Sequence, residues 1–150
     1  MHAVEQKAQL EKRPMFLEWR KDYDVGHAMI DYDHRNLCNL INALHRDTRA
    51  GLTPESVEQA YKNLVHYVEE HFAREENLFR DTDYPSSEDH IRQHREIEKR
   101  VRTGAELFSR YPDDFDSDDF LDFLRRWLTG HILKTDQGYL PYIQGKDTGG

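Results

Sequence analysis

A single cysteine, Cys38, in 150 residues leaves no internal disulfide possible, and it removes the thiolate clusters on which structural zinc sites are usually built. A reducing compartment is the simple reading of that scarcity. Positive charge is also short: 21 Lys and Arg against 29 Asp and Glu give a formal charge of −8, which repels phosphate backbones and anionic membrane surfaces. No basic patch offsets it, so neither nucleic acid nor membrane is expected as a partner. No apolar run approaches the ~20 residues of a membrane span. The opening MHAVEQKAQLEKRP has no apolar stretch of signal-peptide length, and a cytoplasmic location is the expectation. Strand alternation and Asn-Gly hairpins are missing too.

What is present is helical. Apolar residues recur at spacings of three and four in four stretches, separated by polar breaks. The first stretch runs from near Asp31 to about Arg49, with His34, Leu37, Ile41 and Leu44 on one stripe. Thr53 and Pro54 then supply a cap and a first-turn proline for the second, whose stripe is Val57, Tyr61, Leu64, Val68, His71, Glu75 and Leu78. Tyr84 and Pro85 mark a turn, and Ser86 with Asp89 three residues on reads as a capping box for the third. Its stripe is His90, His94, Ile97, Val101, Gly104 or Ala105, and Phe108, ending before Pro112. The acidic run Asp113 to Asp119 leads into the fourth, with Phe120, Leu124, Trp127 and His131 in register. Short links favour antiparallel neighbours. The expectation is an all-α fold: an antiparallel, up-down-up-down four-helix bundle over 31–137, an N-terminal arm over 1–30 packed through Phe16, Trp19 and Tyr23, and a tail over 138–150.

Every stripe carries polar residues inward. An unsatisfied buried polar group costs roughly 2 to 7 kcal/mol and a charge costs more, so His34, His71, Glu75, His90, His94, His131 and Asp136 need a common partner. The pairs His71/Glu75 and His90/His94 are four apart, which puts both side chains on one helix face, one turn apart. His131 and Asp136 are five apart, about 140° out of register on a straight helix; Asp136 reads either as a surface residue at a fraying helix end or, since Gly138 suggests that the helix loosens nearby, as a carboxylate turned inward. Two six-coordinate metals offer about twelve positions. Five imidazoles, two bridging carboxylates and a shared hydroxide or oxide fill all but one, and an open position admits a small ligand. The nitrogen-rich set suits iron, zinc or copper rather than magnesium or calcium, and its few anionic donors favour reversible binding over oxygenation. The Glu-x-x-His pairs of ferritin-like di-iron carboxylate proteins are absent at these positions. Glu76, one position off the stripe, is a poor general base for hydrolysis.

The strings IDYDH (Ile30 to His34), HFAREE (His71 to Glu76), HIRQH (His90 to His94) and WLTGHILKTD (Trp127 to Asp136) resemble the four signature segments of the hemerythrins, particularly the bacterial ones. The resemblance implies two iron ions: one held by His90, His94 and His131, the other by His34 and His71, bridged by Glu75, Asp136 and an oxo or hydroxo group. It implies reversible dioxygen binding for storage, transport or delivery rather than enzymatic turnover, with weak peroxidase-type activity left open. Two rival roles are an oxygen or redox sensor acting through a partner protein, and a di-iron peroxidase or nitric oxide scavenger. Leu128, Phe72, Ile97 and Trp127 are expected to pack the core and to wall the oxygen pocket. His27 departs from the aliphatic residue common in bacterial relatives and is expected in a solvated loop, or else as a polar neighbour affecting oxygen release. Cys38 reads as a small buried hydrophobe or a redox-active thiol, and His2, His45 and His66 as solvated.

Overall fold

The computed structural model describes residues 16–132 and 138–143. Four helices carry it: α1 (Ala28–Arg49), α2 (Pro54–Phe79), α3 (Ser87–Arg110) and α4 (Ser117–Gly130). Single 3-10 turns lie at Lys21–Tyr23 and Leu140–Tyr142, and no strand occurs among the described residues. α1 packs on α2 and α4, and α2 packs on α3, the arrangement of an all-α four-helix bundle.

Local chemistry sets the helix ends. Thr53 Oγ1 accepts the Ser56 N–H at 3.3 Å with Pro54 in the first turn, and Asp116 accepts the Asp119 N–H at 3.0 Å. α1 begins three residues before the expected Asp31. The imidazole of His27 caps it by accepting the Ile30 N–H at 3.3 Å, while Asp31 turns back to accept the N–H groups of Val25 and Gly26 at 2.8 and 3.2 Å. Gly26, at φ +86°, supplies the left-handed residue that this reversal needs. His27 is thus 4% exposed, not the solvated loop side chain that its position suggests. α3 starts where expected, but the Ser86 side chain makes no capping bond, so the capping box does not form as read.

The interior holds Leu37, Ile41, Leu44, Leu64, Val68 and Leu124, all buried as the stripes require, together with Leu121 and Leu128. α3 and α4 meet at Gly104, where an added Cβ would stand 2.4 Å from Cε1 of Phe120, so the absent side chain lets the ring in. The residues before α1 dock through Asn42, whose amide accepts the Leu17 N–H and donates to the Leu17 carbonyl, both at 2.8 Å. Phe16 and Trp19 pack partly buried on the core, and Tyr23 is buried within it. Phe16 also stacks on His45 with ring centroids 4.4 Å apart, so that histidine is half-covered rather than solvated. His66 is exposed beside Glu70; His2 lies outside the described residues. At the opposite end, Ile30, Phe79, Tyr84, Tyr139 and Ile143 form a second apolar cluster. Residues 139 and 143, set aside as a tail from sequence, are structural there.

Candidate metal centre

Six of the seven residues singled out by their spacing converge at the level of Glu75. α1 supplies His34, α2 supplies His71 and Glu75, α3 supplies His90 and His94, and His131 follows α4. Ligand atoms of His34, His71, Glu75 and His131 lie within 4.8 Å of one another, as do those of Glu75, His90, His94 and His131. Asp136 lies outside the described residues. Glu75 is fully buried and joins the two groups. Its Oε1 is 2.9 Å from His90 Nε2 and 3.1 Å from His94 Nε2; its Oε2 is 3.0 Å from His71 Nε2 and 3.4 Å from His131 Nε2. His131 sits between the groups, its ring centroid 5.9 Å from those of His34, His71 and His90 and 5.5 Å from that of His94.

The backs of three imidazoles are also held. His71 Nδ1 lies 3.0 Å from Asp33 Oδ2, and Asp33 accepts two bonds from Arg74 and one from Tyr67, each at 2.8 Å. His94 Nδ1 lies 2.8 Å from Glu76 Oε2, while Arg95 donates to the other Glu76 oxygen. His90 Nδ1 is 3.2 Å from the Tyr84 hydroxyl. Sequence reasoning missed these partners: Asp33 and Glu76 lie off the apolar stripes, and Tyr84 reads as a turn residue. Glu76, set aside as a poor base, is 3% exposed and engaged. The one signal for both carboxylates is adjacency, since Asp33 precedes His34 and Glu76 follows Glu75.

These contacts test whether the site suits a cation. A carboxylate accepts, so Asp33 and Glu76 fix the proton of His71 and His94 on Nδ1. The Nε2 lone pairs then face the oxygens of Glu75 at close to 3 Å, acceptor against acceptor, unless a further proton or a metal ion lies between. Two donors each about 2.1 Å from one ion and at right angles stand about 3 Å apart. The donor set therefore fits metal ions. In their absence the proton takes the role: burial lowers the affinity of His71 for it, but Asp33 and Glu75 overcome that and push the group up to about 9. Burial alone would raise the Glu75 carboxyl, yet the charge and hydrogen bonds of His131, His71 and His90 hold it well below the ordinary carboxylate range. Asp33 is likewise held low against its burial by His71 and Arg74.

Aromatic rings wall the cluster. Phe72 stacks on His94 with centroids 3.9 Å apart, and Trp127 stacks on His131 at 5.5 Å. A cleft of about 380 Å³ between α3 and α4 reaches His94 and His131, with Ile97, Trp127 and Gly130 along it and Arg126 also lining it. Of the four residues expected to wall a gas pocket, Ile97 and Trp127 line this cleft, Phe72 lies buried behind His94, and Leu128 is buried beside a small crevice that Cys38 and Ile132 also line. Cys38 is buried, and its thiol donates to the Leu17 carbonyl at 3.2 Å. After Gly130 the backbone widens into a π turn at His131 and Ile132, a feature frequent at functional sites.

Comparison with known proteins places this geometry in context. The hemerythrin HHE cation binding domain matches residues 25–143. A bacteriohemerythrin of Pseudomonas paraeruginosa is 32% identical over 128 residues, 85% of this chain and 82% of that one. A bacteriohemerythrin of Clostridium acetobutylicum is 26% identical over 129 residues, 81% of this chain and 97% of that one. A crystal structure of a hemerythrin point mutant is similar in fold, with a TM-score of 0.79 at 21% identity, covering 87% of this chain and 98% of that one. No helix among the described residues is long and apolar enough to cross a membrane.

Proposed function

This chain belongs to the hemerythrin family, and on that premise we propose that it binds dioxygen reversibly at a non-haem di-iron centre, in a storage or delivery role. The observation that carries the reading is the fully buried Glu75 carboxylate, one oxygen facing His90 and His94 and the other facing His71 and His131. His34 and His71 would hold one iron and His90 and His94 the other. The resemblance assigns His131 to the second, and its central position is compatible with that. Asp136 is proposed as a second bridging carboxylate. The π turn at His131 favours this, because it departs from the straight helix on which residues five apart diverge.

Two ferrous ions held there would supply the electrons for reversible dioxygen binding. The chain's own residues do the rest. Asp33 and Glu76 fix His71 and His94 in the tautomer that presents Nε2 inward, and the Tyr84 hydroxyl orients the His90 ring. Phe72 and Trp127 stack against ligand rings, and with Leu128 they limit the water and protons that would convert the centre to its ferric form. The cleft past Ile97 and Gly130 offers a path for small molecules.

Iron analysis with optical spectra through an oxygenation and deoxygenation cycle tests the reading. Two irons per chain and a spectrum that reverses on deoxygenation are expected, and a protein colourless in air after anaerobic iron loading rules the reading out. Glu75→Ala should lose or scramble both irons, whereas normal loading would exclude the bridging role.

A further inference from the structure

The two halves of the cluster differ in what stands behind their imidazoles. In the group of His34 and His71, the His71 ring backs onto Asp33, a carboxylate 2% exposed that also receives two bonds from Arg74 and one from Tyr67. In the group of His90 and His94, the His94 ring backs onto Glu76, which receives Arg95 on its other oxygen, while His90 Nδ1 lies 3.2 Å from the neutral hydroxyl of Tyr84. The two networks begin on different helices, α1 and α2, and share no donor among the described residues; Glu75 and His131 are the ligand residues common to both groups.

A carboxylate behind an imidazole fixes the ring and makes its far nitrogen a stronger electron donor. How much it gives depends on how many other donors draw on the same oxygens. Asp33 divides its charge among His71, Arg74 and Tyr67, so the push on His71 is moderated. Glu76 shares only with Arg95, half of whose side chain is in water.

We propose that Asp33 and Glu76 are positioning residues that tune the two metal positions separately, Asp33 the one at His34 and His71, Glu76 the one at His90 and His94. The inference rests on the two-metal reading of the site. Asp33→Asn and Glu76→Gln keep shape and an acceptor oxygen while deleting the charge. Each weakens a different metal position and makes the ferric state of that position less favourable.

The test is titration of metal-free protein with Co(II), followed by its visible absorption and by calorimetry, with reduction potentials measured on the iron-loaded protein. Wild-type protein takes up two ions in two steps. Asp33→Asn weakens one step about 10- to 100-fold and Glu76→Gln the other, the size expected for a lost outer-shell partner; the double variant shows both losses, and the potential rises in each. Tyr67→Phe, which removes one competitor for Asp33 and leaves its charge, moves the potential the opposite way from Asp33→Asn and keeps the proposal testable if that variant does not fold. Equal weakening of both steps by either variant, or affinities lost with potentials unchanged, overturns the inference in favour of a packing role. If wild-type protein binds fewer than two Co(II), it is the two-metal reading that fails.

Discussion

The Phe72 ring lies parallel to the His94 imidazole, their planes 4° apart and their centroids 3.9 Å apart, with both side chains buried. Stacking of this kind contributes about 0.5–1.5 kcal/mol beyond burial. Phe72→Leu should lower the stability of the metal-free protein by about 1–2 kcal/mol through lost stacking and a partly unfilled space. Urea unfolding measures this; an unchanged midpoint would show that the contact carries no stability.

Gly104 admits the Phe120 ring. Gly104→Ala gains helix propensity of about 1 kcal/mol, but its Cβ would sit 2.4 Å from Cε1 of Phe120, and overpacking typically costs about 1–3 kcal/mol. Net destabilisation is expected, and Phe120→Leu in the same chain should relieve it. A double-mutant cycle by thermal melting reads the coupling; strictly additive effects would contradict the clash.

Acid and alkali should act on opposite groups in the metal-free protein. Asp33 is held low, so its contribution is complete above its unfolded value of about 3.9 and is lost as the pH falls through its folded value. His71 is raised to about 9, so its contribution is complete below about 6.5 and is lost as the pH climbs through 9. Stability should therefore fall on both sides of a plateau. Metal loading should abolish the alkaline fall, because the ion replaces the proton between His71 and Glu75. Unfolding free energies of both forms from pH 3 to 10 would decide it, and an alkaline slope that survives loading would count against the site.

Asn42 clasps the Leu17 backbone, and the Leu17 carbonyl in turn accepts the Cys38 thiol. Burial also pushes that thiol up, which disfavours the reactive thiolate. Asn42→Ala leaves the Leu17 N–H without its partner and the carbonyl with the Cys38 thiol alone, at a cost of about 1–3 kcal/mol. It should speed the reaction of Cys38 with a thiol reagent under native conditions. Identical rates in the two proteins would mean that Leu17 does not shield the sulfur.

Gly130 lines the cleft toward His94 and His131, and a Cβ there meets nothing within 4 Å. Gly130→Leu should fill the cleft without loss of stability and slow the entry of small ligands, read by stopped-flow absorption of the iron-loaded protein. Unaltered entry would place the path elsewhere.

Periodicity alone determined the four helices and the inward facing of six candidate ligand side chains, because spacings of three and four put residues on one helix face whatever the neighbours are. The resemblance of IDYDH, HFAREE, HIRQH and WLTGHILKTD then pointed to the family that the comparisons establish. Tertiary structure decided the rest. Asp33, Glu76 and Tyr84 lie off the stripes and become partners of His71, His94 and His90 only when the helices pack. His27 becomes a buried cap because Gly26 and Asp31 reverse the chain. A hydrophobic pattern along one chain specifies which face turns inward, but a hydrogen bond between helices depends on rotation and distance, which are fixed only by packing.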